Sequence, residues 1–170
     1  MTGATTTDPT MNAIIEAVTD GRSGNVDNAR TQLLDLWQTI GVTGDPLHRC
    51  TLAHYLADLY IDPAQALQWD VRALDAADAV SEQRARELDA GLHIAGFYPS
   101  LHLNLADNFR RLGSFDAARD QLASARERSF TLQADSYGDL IRVGIEEVAA
   151  AVKKRDTAPR AWSRASSGTE

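Results

Sequence analysis

Residues 102–126 read HLNLADNFRRLGSFDAARDQLASAR. Leu105 and Phe109 lie at helical spacing before Gly113-Ser114, and Phe115 and Leu122 lie at helical spacing after it. Ala106, Ala118 and Ala125 fall among them. Small residues there let two helix backbones approach closely, and the larger side chains fill the space around them. The spacing predicts two antiparallel helices, Leu101 to Leu112 and Phe115 to Arg128, joined by a tight turn.

The chain on either side reads the same way. Alanine and leucine are abundant, β-branched runs are absent, and no segment alternates apolar with polar over a strand's length. Ile14, Ile15 and Val18 form a short stripe within Met11 to Thr19, and Asp20 to Gly24 ends it. Asn25 to Ile40 carries Val26, Ala29, Leu33, Leu36, Trp37 and Ile40 on one face, with Gly41 and Gly44 after it. Asp45-Pro46 and Asp62-Pro63 each place a capping carboxylate before a proline at the first helical position. They predict helices over Leu47 to Tyr60 and Ala64 to Ala79. A further helix is expected over Ser81 to Ala95, broken or kinked by Gly96 and Pro99, with Phe97 and Tyr98 in a linker or hinge. Ala134 to Arg155 closes the series, with Ile141, Ile145, Val148 and Val152 in one stripe and basic Lys153, Lys154 and Arg155 at its C-terminus.

The composition is that of an ordinary folded chain. It has 170 residues, 44% of them hydrophobic, enough for one domain with a real core. Residues 1–10 and 156–170 are polar, aperiodic and rich in Ser, Thr or Gly. They read as a disordered arm and tail around a domain at 11–155. No apolar run reaches the eighteen residues of a membrane span, and the first ten residues show no signal-peptide pattern. A single cysteine, Cys50, suits a reducing cytoplasm, the expected location. A net charge of −7 argues against non-specific nucleic-acid binding. The bases are two lysines and fifteen arginines, a bias common in GC-rich genomes.

The 102–126 stretch closely resembles a tetratricopeptide repeat (TPR). His102 stands where that pattern has Trp, Leu105-Ala106 where it has Leu-Gly, and Phe109 where it has Tyr. Ala118, Leu122 and Ala125 occupy the small, Phe and final small sites of the second helix. Two weaker copies are similar. Leu52-Ala53 and Leu56 precede Ala66 and Ala73, with Asp70 at the Phe site; Gly24, Val26, Ala29, Leu33 and Leu36 match a second helix. The alanines at 29, 66 and 118 stand 37 and 52 residues apart, against 34 in the family. The longer interval implies an inserted helix. The resemblance covers about Met11 to Arg128 and implies an all-α fold of stacked antiparallel helical hairpins, with the last helix as the cap such arrays need. Small TPR proteins of GC-rich bacteria look similar.

That resemblance implies a non-catalytic module holding a peptide or partner helix in a concave groove lined by the first helix of each pair. Carried over, the groove residues are His54 and Asp58, with Cys50 and Ala57 beside them, and Leu103, Asn104, Asp107, Arg110 and Arg111. The arginines can fork a carboxylate, and the aspartates can take a basic side chain. The plainer alternative is a solvated helix face with Asp107 and Arg111 paired at i,i+4. Asp70 is a polar residue at an aromatic site. A register shifted by one would turn Leu67, Val71 and Leu74 inward and leave Asp70 solvated. Cys50, His54 and Asp58 at i, i+4 and i+8 are a chemically possible metal trio, but they match no known zinc spacing and no metal is expected. No acid–base pair or phosphate-cradling Gly-rich loop is visible, so the chain reads as no enzyme and needs no cofactor. A regulator sensing a small molecule or peptide in the groove is the alternative function, and a metal-dependent hydrolase on the trio is a third. Oligomeric state is open.

Overall fold

The computed structural model describes residues 8–80 and 94–160. Among them are seven α-helices and no strand: α1 (Pro9–Arg22), α2 (Val26–Ile40), α3 (Pro46–Asp58), α4 (Pro63–Asp78), α5 (Ile94–Arg111), α6 (Phe115–Glu127) and α7 (Ser136–Lys153), with a 3-10 turn at Ser129–Thr131. They pack as adjacent pairs, α1 with α2, α3 with α4 and α5 with α6. α3 meets the first pair, α4 leans on α5, and α7 packs across α5 and α6.

Local chemistry sets the boundaries. Asp45 accepts from Leu47 N at 2.9 Å and His48 N at 3.3 Å, and Asp62 accepts from Ala64 N at 2.9 Å, so both Asp-Pro steps start helices as expected. Asp8-Pro9 does the same: Asp8 accepts from Met11 N, and α1 begins at Pro9, inside the stretch read as a disordered arm. Gly24 and Gly113 have φ of 102° and 77°, left-handed values that L side chains rarely adopt, in the turns between the helices of the first and third pairs.

The alanines sit where the helices meet. Ala29, Ala53, Ala73, Ala106, Ala118 and Ala125 are fully buried, and Ala66 nearly so. A Cβ on Gly21 would come within 3.1 Å of the Ala29 Cβ, so α1 and α2 touch almost backbone to backbone. One core gathers Ile14, Leu33, Leu52, Leu56, Trp69 and Leu101, with Trp37 set edge-on to Trp69 at 5.2 Å. A second gathers Phe115 and Leu122 with Ile141, Ile145, Val148 and Val152 of α7. The α7 stripe is thus spent on α5 and α6.

Three expectations need correction. Gly96 to Pro99 is no linker; it lies in the first turns of α5. Proline at position 99 leaves the Ala95 carbonyl without its helical donor, and the Thr131 hydroxyl donates to that oxygen at 2.8 Å. The shifted register of α4 is wrong as well: Trp69, Asp70 and Ala73 are buried, whereas Val71 is half exposed. The residues after Lys153 do not leave the domain at once, because Asp156 to Arg160 hold contacts with α5 and α7. Most of the helix expected at Ser81 to Ala95, and Trp162 in the tail, lie outside the described residues.

Candidate functional site

A cleft of about 380 Å³ opens between α1, α2, α3, α4 and α5. Its apolar wall is Val18, Val26, Leu33, Leu59 and Ala66. Its polar groups are Asp58 from α3, Asp70 from α4, Asn104, Asp107, Asn108 and Arg111 from α5, and Arg22 and Arg30 from the first pair. Tyr55, Tyr60, Ile61 and Pro159 also line it.

The floor is a carboxyl held by amides. Asp70 is 1% exposed. Asn108 Nδ2 donates to its Oδ2 at 2.7 Å, and Asn104 Nδ2 reaches its Oδ1 at 3.4 Å. Asn104 also lies 3.5 Å from Asp58 Oδ1, so it bridges two carboxyl groups. Burial drives the Asp70 pKa well above the carboxylate range, and the negative charges of Asp58 and Asp107 add to the rise while the amides oppose it. Asp58 remains reachable by solvent but recessed among protein atoms. Desolvation lifts its carboxyl too, against His54, Arg22 and Asn104.

The arginines at the rim are anchored. Arg111 donates through Nη2 to the Ile61 carbonyl at 2.6 Å, tying α5 to the loop after α3. Arg30 pairs with Asp27 at 2.9 Å, donates to the Leu59 carbonyl at 2.8 Å and lies over the Tyr60 ring. Arg22 lies 5.6 Å from the Tyr55 ring centroid.

Four of the seven residues expected at the groove meet here: Asp58, Asn104, Asp107 and Arg111. Three do not. Leu103 is a core residue beneath α7, close to Gly144. Arg110 is 1% exposed and turned away, bound to Asp107 and to the chain beyond α7. His54 is 8% exposed, with its ring against Tyr55 and edge-on to Phe97, and burial lowers its pKa. The i,i+4 pairing of Asp107 with Arg111 is replaced by an i,i+3 pair, Asp107 with Arg110 at 2.7 Å. Cys50 is buried away from the cleft, and burial pushes its thiol up to about 12, whereas Ala57, also buried, lines the cleft. Among the described residues no group of three His, Cys, Asp or Glu side chains is placed to hold a metal.

The sequence reading missed Asn108 and the inward turn of Asp70. Both carried a signal: Asn108 stands one turn after Asn104, and Asp70 occupies a site where the repeat pattern requires burial.

Two raised carboxyls in one cleft also occur in acid–base sites. Here the Asp70 oxygens are held by the Asn104 and Asn108 amides. No described helix is long and apolar enough to cross a membrane. No protein-family model, curated protein or solved structure matches the chain.

Proposed function

We propose that the chain is a non-catalytic interaction module of TPR-like hairpins that binds a peptide or partner helix in the cleft between α1, α3 and α5. The observation that carries this reading is the cleft itself. Opposite charges, two primary amides and an apolar wall face one opening. Such a lining can take both the backbone and the side chains of another chain. The TPR-like reading draws further support from the burial of Ala29, Ala66 and Ala118 and from the matching left-handed glycines Gly24 and Gly113.

The test is affinity capture from the native host, comparing the wild-type chain with Arg111→Glu plus Asp58→Arg. The wild type retains a protein partner, and the double reversal loses it while keeping its helical circular dichroism. Retention of the same partner by the reversed chain would refute the assignment.

The cleft volume favours one second reading. About 380 Å³ lies within the range of small-molecule pockets. A sensor of such a ligand would show a melting temperature that rises with ligand concentration, because binding only the folded state stabilises it.

A further inference from the structure

The chain beyond α7 turns back on itself. Arg155 has a φ of 53°, and the following residues, none of them helical, run back against α5 and α7. Arg110 of α5 gives Nη1 to the Asp156 carbonyl at 2.5 Å and Nη2 to the Ala158 carbonyl at 2.9 Å. Asp107 holds the same guanidinium, taking Nε at 3.0 Å and Nη2 at 2.7 Å. Pro159 lines the cleft. Arg160 then pairs through Nη2 with Glu147 of α7 at 2.8 Å. Its guanidinium lies over Gly144, where a Cβ would stand 3.1 Å from Nη2.

This is the geometry of a bound peptide. A buried arginine is among the costliest side chains to desolvate, and here it is committed to two backbone carbonyls of a non-helical segment. Backbone carbonyls carry no side-chain identity, so any extended segment can offer the same pair. Identity is read two residues later, where Gly144 leaves room for a flat guanidinium and Glu147 supplies the charge.

We propose that Asp156–Arg160 is the resident occupant of a second groove, between α5 and α7 and bordering the cleft only at Pro159, and is an intramolecular stand-in for an extended partner segment that offers two alternate backbone carbonyls to Arg110 and an arginine to Glu147. This groove adjoins the cleft and is distinct from it, so the proposal goes beyond the cleft reading above. The partner binds as an extended chain, and it must first displace this strap.

Tethering makes the strap a strong competitor. A short linker gives an effective concentration in the millimolar range. A free peptide binding in the tens of micromolar would therefore see the wild-type groove as on the order of a hundredfold weaker.

The experiment uses the full chain and a dye-labelled peptide of residues 155–161, read by fluorescence anisotropy. A strap-released chain, Pro159→Gly with Arg160→Glu, should bind the peptide roughly a hundredfold more tightly than the wild type does. A peptide carrying Arg160→Glu should lose at least tenfold on the released chain; this arm leaves the protein untouched. Adding Arg110→Met to the released chain should abolish binding. Equal binding to wild-type and released chains, or none to a released chain with intact helical circular dichroism, would overturn the proposal. So would indifference to the charge of the peptide's arginine. If the strap proposal fails while partner capture still depends on Arg111 and Asp58, the cleft reading survives. Loss of that dependence with the peptide results intact would remove the cleft reading alone.

Discussion

Replacing Asp70 by asparagine should stabilise the protein increasingly as pH rises above the ordinary carboxyl range. Asp70 is buried, with its oxygens held by Asn104 and Asn108 and with Asp58 and Asp107 adding negative charge nearby. Its folded pKa is therefore well above the unfolded value of about 3.9. Between those two values the folded chain keeps a proton that the unfolded chain releases. Stability is then fully present below about pH 3.9 and falls by about 1.4 kcal/mol per pH unit through the window. The introduced amide has nearly the same shape as the carboxyl and does not titrate, and a flip of the Asn108 amide gives its N–H an acceptor. The two proteins should match near pH 4 and diverge by about 1.4 kcal/mol for each unit above it, up to the folded pKa. Urea unfolding followed by circular dichroism at pH 4, 5, 6 and 7 measures this, and taking the difference between variant and wild type cancels most other titrations. A difference that is flat with pH, or that grows in favour of Asp70, would refute the account of the cleft floor.

His54 works in the opposite sense. Burial lowers its folded pKa, so its contribution is present above about pH 6.5 and is lost as pH falls through the folded value. His54→Phe should flatten the acid limb between pH 7 and 5 in the same urea assay. The Cys50 thiol, buried and pushed up to about 12, should react with an aromatic disulfide reagent orders of magnitude more slowly in the native chain than in urea, as absorbance would show. Gly144→Ala would place a Cβ 2.8 Å from Leu103 Cδ2 and 3.1 Å from the Arg160 guanidinium. Both atoms end flexible side chains, so the overpacking falls at the low end, about 1 kcal/mol. A helix-propensity gain of about 1 kcal/mol offsets it, and the denaturation midpoint should change little.

The burial of Arg110 shows why the site was only half legible. On a helix, positions 103, 107, 110 and 111 share one broad face, and the sequence pattern treats that face as a single groove. In the fold the face is divided. Asn104, Asp107 and Arg111 look into the cleft, while Leu103 and Arg110 look towards α7 and the strap. The strap's own residues, DTAPR, carry no periodicity and read as a disordered tail, because their order comes from distant partners, Arg110 and Glu147.

Helix type, the helix starts at Pro46 and Pro63 and the close-contact alanines were read from the chain, since each has a signal in neighbours within about one turn, whereas the starts at Pro9 and Ile94 were not. Asp45-Pro46, Asp62-Pro63, Ala118 and Gly113 needed nothing from elsewhere in the fold. Which polar groups became buried could not be read that way. The burial of Asp70 against Asn104 and Asn108 and the capture of Arg110 by the Asp156 and Ala158 carbonyls depend on groups 34 to 48 residues away, and only the tertiary fold brings those partners together.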